Sequence, residues 1–113
     1  MRRRKRPRRR GIPSFIVCSG TDGQPSADDL ITAGAIIDAV RRYSDVREGE
    51  LTDMALICEN LYHNWRDGSF DLNSVFHVKR LIGLGFEKDV QFCFTPDSTE
   101  TVPVYRDAVI VKA

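Results

Sequence analysis

Phe15-Ile16-Val17-Cys18, then Ser19-Gly20-Thr21-Asp22-Gly23, then Pro25-Ser26-Ala27-Asp28-Asp29-Leu30 form one stretch that spells three kinds of local structure in turn. The first four residues are apolar and partly β-branched without a break, the pattern of a strand buried on both faces and central in its sheet. Ser19 to Gly23 stop it with turn chemistry. Ser26 with Asp29 three residues on is a capping-box pattern, Asp standing where Glu is usual. Asp28 and Asp29 lie in the first turn, where the helix dipole favours negative charge. A helix is expected from there through Leu30, Ile31, Ala33, Ile36, Ile37, Val40 and Tyr43, with Asp38 set to pair with Arg42 one turn on.

Beyond the loop 44–49, Leu51, Met54, Ala55, Cys58, Leu61, Tyr62 and Trp65 recur at three-and-four spacing and predict a second helix. Asp67-Gly68-Ser69 end it. Asp71 or Asn73 can cap a third, weaker helix through Val75, Phe76, Val78 and Ile82, with Lys79 and Arg80 in its last turn before Gly83 and Gly85, its β-branched content leaving a strand as the alternative. Val90, Phe92 and Phe94 alternate with Gln91 and Cys93, the period of a half-buried strand, and 95–99 break it. Val102 to Val111 reads as a further strand, at an edge or bulged near Pro103, completing a C-terminal hairpin. The expected fold is α+β: one domain, 12–113, in the order β-α-α-α-β-β, with helices on one face of a small, mainly antiparallel sheet.

Charge is distributed unevenly. Eight of the 17 Lys and Arg residues fall within positions 2–10, where none of the 16 Asp and Glu does, so the remainder of the chain is net −7. The arm 1–11, carrying Arg2, Arg3, Arg4, Lys5, Arg6, Arg8, Arg9 and Arg10, repels itself, and Pro7, Gly11 and Pro13 oppose a helix, so it is expected to be disordered. Guanidinium groups pair bidentately with phosphates, which points to non-specific, salt-sensitive contact with DNA or RNA, or to capture by a nuclear import receptor. No aromatic residue in the arm stacks on bases, so no sequence selectivity is expected from it. Lys79 and Arg80 are secondary candidates for phosphate contact, and Tyr62, Trp65 and Phe70 for a protein interface.

The composition excludes other classes. Three widely spaced cysteines, Cys18, Cys58 and Cys93, each in an apolar run, read as reduced core thiols rather than a disulfide framework. No segment spans a membrane and no secretory signal is evident, so an intracellular protein is expected, nuclear or nucleolar in a eukaryotic cell. Cys18 to Gly23 lacks a phosphatase-like Arg and is read as an ordinary strand-to-helix turn, its carboxylates repelling anions. His63, His77, Cys58 and Cys93 show no ligand spacing, so neither metal nor cofactor is expected.

The resulting expectation is a small non-enzymatic accessory protein associated with nucleic acid or directed to the nucleus, its folded part giving protein contacts or a homodimer. In composition the arm looks like those of small viral structural or regulatory proteins. The second reading is an interaction module, an inhibitor or adaptor, whose acidic helical domain binds a protein partner while the arm only localises it.

Overall fold

The computed structural model describes residues 13–113. The basic arm expected at 1–11 lies outside the described residues. Among the described residues there are four α-helices and one two-stranded antiparallel sheet, consistent with the α+β class. The chain divides into two compact units, the first ending at His63 and the second Asn64–Ala113. Among the described residues no helix is long and apolar enough to cross a membrane.

The first unit is organised by α1 (Ala27–Tyr43) and α2 (Asp53–Arg66), joined through a short 3-10 turn at Glu48–Glu50. Both helices fall where the periodicity put them. Ala33 and Ile37 of α1 and Cys58 of α2 form its buried cluster, flanked by Leu30, Leu51 and Ala55. Ala33 and Ile37 are four residues apart on one face of α1, as burial against a neighbouring helix requires.

The segment Phe15–Cys18 corrects the first expectation. It forms no strand, and Phe15 and Val17 are 87% and 90% exposed. Strand propensity alone does not make a strand: its backbone N–H and C=O groups need a neighbouring strand to pair with. Among the described residues none pairs there.

In the second unit, Asp71 caps the 3-10 turn Leu72–Ser74 by accepting the Asn73 amide proton, and α3 (Phe76–Gly83) follows. It closes in a Schellman arrangement: Phe86 N–H donates to Leu81 C=O at 3.0 Å, Gly85 N–H donates to Ile82 C=O at 2.9 Å, and Gly85 has φ 88°. The expected strand Val90–Phe94 is instead α4 (Glu87–Cys93). The alternation misled because the residues that turn inward are buried Val90 and half-buried Phe94, four apart. Val90 is buried, Phe94 packs edge-on against Trp65 with ring centroids 5.7 Å apart, and Phe92 between them is exposed.

The final strand is also corrected. Residues 102–111 hold a whole hairpin, β1 (Pro103–Arg106) and β2 (Val109–Lys112), with Tyr105 opposite Ile110. Its turn, Asp107-Ala108, has φ of 50° and 64°, the left-handed pair of a type I′ hairpin; without glycine the turn has no sequence signature. Both strands are exposed except at half-buried Val104, so the expected layer of helices over one sheet face is not found among the described residues.

Candidate functional site

The loop between the Phe15 segment and α1 is the most closely determined polar structure in the first unit. Thr21 and Gln24 exchange backbone hydrogen bonds of 2.9 and 3.0 Å around Asp22 (φ 52°) and Gly23 (φ 73°). Two successive left-handed residues make a tight turn, and Asp-Gly is a favoured pair for it. Gly20 has φ 71°, and a Cβ there would collide with the Gln24 carbonyl oxygen, so the position requires glycine.

The capping box forms differently from its pattern. Ser26 is the N-cap residue by backbone conformation, but its side chain caps nothing; it is buried, donating its hydroxyl to the Asp28 carboxylate and accepting from the Thr21 hydroxyl at 3.3 Å. Asp29 reaches back past Ser26 and accepts the Gly20 amide proton at 2.7 Å. The loop's tightness brings Gly20 within reach of Asp29, and burial turns the serine inward. The two first-turn carboxylates each hold a loop donor, while the Ser26 side chain caps none of the first-turn amides of α1. Open amides at a helix start favour anionic oxygens.

A second polar group lies at the other end of α1. Asp38 accepts from Arg42 at 2.6 Å and pairs with His63 Nε2 at 2.9 Å, while the buried Glu59 pairs with Arg41. Asp38, Glu59 and His63 place their ligating atoms within 4.8 Å of one another. Glu59 and His63 are four apart on α2 and share a face, a ligand-compatible spacing that a search for Cys and His pairs alone does not reveal. Both guanidiniums already neutralise the carboxylates, so the cluster acts as an ion-pair network fastening α1 to α2. The hydrogen bond from His63 holds the Asp38 carboxyl below its ordinary range against the opposing effect of burial, with Arg42 adding to the lowering.

The cysteines divide by environment. Cys58 is buried and its thiol is pushed up, mainly by burial and secondarily by nearby Cys18; Cys18 and Cys93 are exposed, so the expectation of core thiols holds for Cys58 alone. Lys79 and Arg80 lie exposed on α3. Tyr62, Trp65 and Phe70 are half-buried. Arg2 to Arg10 lie outside the described residues.

Over residues 9–108 the chain matches the family described as 2-phosphosulpholactate phosphatase, and it belongs to that family. Curated relatives called probable 2-phosphosulfolactate phosphatase include those of Caldanaerobacter subterraneus subsp. tengcongensis (32% identical over 98 residues, 86% of this chain and 39% of the relative) and Thermotoga petrophila (36% over 98 residues, 86% and 40%). That of Thermotoga maritima is 35% identical over 98 residues, 86% of this chain and 40% of the relative. The chain thus spans about two-fifths of the curated relatives it matches.

Family membership overturns the expectation of a non-enzymatic protein, in both its nucleic-acid-associated and its inhibitor or adaptor forms. The family is one of phosphatases, and the curated relatives that match carry names for action on a small molecule. The viral and nuclear settings fall with it, since these relatives are bacterial, as do nucleic acid and an import receptor as partners. The arm misled because net charge reports attraction to any polyanion, whereas the loop's negative carboxylates were counted as repelling anions. Asp28 and Asp29 accept from neutral donors and keep their negative charge.

Proposed function

We propose that this chain contributes the Gly20–Asp29 loop to a phosphatase that hydrolyses the phosphate monoester of a small acid, 2-phosphosulfolactate being the substrate the relatives' names suggest. The match to the family over residues 9–108 carries this reading. Water attacks phosphorus, the bond between phosphorus and the ester oxygen breaks, and the leaving alkoxide takes a proton to become the free hydroxyl of the product.

In this reading the first-turn amides of α1 receive phosphoryl oxygens. Asp28, oriented by the Ser26 hydroxyl, accepts the proton of the attacking water. Asp29 keeps the loop in register by holding the Gly20 amide. The loop itself offers neutral donors and carboxylates, so positive charge to balance phosphate and sulfonate comes from the rest of the whole protein.

The test is phosphate release from 2-phosphosulfolactate, compared with Asp28→Asn. The variant is expected to lose about 10²-fold or more in kcat with KM little changed, as for a general base. Both are assayed in the presence of the remaining portion of the family sequence: an unaltered kcat in Asp28→Asn removes the base assignment, and no release by the unsubstituted chain so completed removes the hydrolytic reading.

A further inference from the structure

In the first unit more large apolar side chains lie outside than inside. Phe15 and Val17 are almost fully exposed and Ile36, Val40 and Met54 about half exposed, whereas Ile31, Ala33, Ile37 and Cys58 are its buried apolar residues. These exposed groups are organised. Ile16 and Cys18 line an open cleft whose opposite wall is α1, through Leu30, Ala33 and Val40. Phe15 lines it as well, and Val17, which does not, stands 90% exposed outside it.

Both faces of that segment are apolar, and its backbone from 14 to 19 makes no hydrogen bond to the described residues. A strand with two apolar faces and two unpaired edges is an interior strand lacking its neighbours. The relatives extend well beyond the matched region: the chain covers 40% of each Thermotoga relative, so more than half of each has no counterpart in it.

We propose that residues 14–18 are a sheet strand whose neighbours come from the portion of the family sequence beyond the matched region, and that this portion also fills the cleft over α1. A second copy of this chain is a poorer occupant, because it brings an equally unpaired strand and leaves one edge and both clefts open. A polypeptide adding strands along both edges satisfies the backbone and covers Phe15 and Val17 together. The inference rests on family membership, not on the hydrolytic reading.

The experiment joins the full 113-residue chain with a polypeptide of the unaligned part of the Thermotoga maritima relative, by mixing and by co-expression. Light scattering and hydrogen exchange of the 15–18 amides are followed. Alone, the chain is expected to be monomeric, with these amides exchanging near free-peptide rates. Together, a one-to-one complex is expected, with exchange slowed by about 100-fold or more. Val17→Asp, a change at an exposed position that leaves the helical signal intact, is expected to weaken the complex at least about tenfold.

Three outcomes overturn the proposal: no complex, including failure of co-expression to bring the partner polypeptide into solution; a complex in which these amides still exchange freely; or protection of 15–18 in a homodimer of this chain alone. No step measures phosphate release, so a failed activity assay and a failed complementation are separate results.

Discussion

Gly34 of α1 lies directly against the carbonyl oxygen of Cys58 on α2: a Cβ at Gly34 would overlap that oxygen and stand 2.7 Å from the Tyr62 Cβ. The absence of a side chain therefore sets the spacing of the two helices. The obstructing atom is main chain and cannot rotate away, so Gly34→Ala must push the helices apart and loosen Ala33, Ile37 and Cys58. The gain in helix propensity is about 1 kcal/mol. Overpacking, typically about 1–3 kcal/mol, exceeds it, and a net loss of up to about 2 kcal/mol is expected in urea unfolding. Gly83, at the end of α3, meets nothing within 4 Å and has no positive φ, so Gly83→Ala is expected to be neutral or stabilising by a few tenths of a kcal/mol.

Helices α1 and α2 were legible because each carries its own apolar period, α1 with start signals besides, and that evidence needs no distant partner. Gly34 was not, since its reason lies on another helix. The Phe15 segment and α4 failed for opposite reasons. Phe15–Cys18 has strand propensity without a paired neighbour, whereas Val90 to Phe94 has a strand-like alternation overridden by the Val90 and Phe94 contacts of a helix. The loop at Gly20 was legible as a turn and its Ser26 start placed α1 correctly. Its hydrogen bonds were hidden, because the capping pattern predicts that Ser26 and Asp29 serve the helix when they serve the loop.

The Asp38 carboxyl is held below its ordinary range chiefly by His63. A depressed folded-state pKa gives stability that is present above the unfolded value of roughly 3.9 and is lost as pH falls through the lower folded value. Acid unfolding of the first unit is therefore expected to steepen below about pH 4. Asp38→Asn, which removes the titration, is expected to flatten that part of the stability curve while lowering the plateau at neutral pH. Unfolding midpoints from pH 2 to 7 for both proteins check this, and parallel curves would place the acid sensitivity elsewhere.

Thiol chemistry separates the cysteines. Cys58 is buried with its thiol pushed up, while Cys18 and Cys93 are exposed. Only the thiolate reacts, so iodoacetamide at neutral pH is expected to modify Cys18 and Cys93 in the folded protein and to reach Cys58 only after denaturation. Mass spectrometry of the labelled peptides reads this directly. Rapid native labelling of Cys58 would mean that the contact between Gly34 and Cys58 opens readily.

Two glycines of the loop should part company on substitution. Gly20 and Gly23 both have positive φ, but a Cβ at Gly20 meets the Gln24 carbonyl oxygen, whereas one at Gly23 meets nothing within 4 Å. Gly23→Ala therefore carries only the cost of a left-handed residue, about 1–2 kcal/mol. Gly20→Ala adds a steric conflict inside the turn and displaces the amide that donates to Asp29. If the loop shapes the site, Gly20→Ala is expected to cost at least about tenfold more in kcat/KM than Gly23→Ala, while helical content stays native in both. Equal losses in the two variants would reduce the loop to a connector between the Phe15 segment and α1, and would move the phosphoryl site away from the start of that helix.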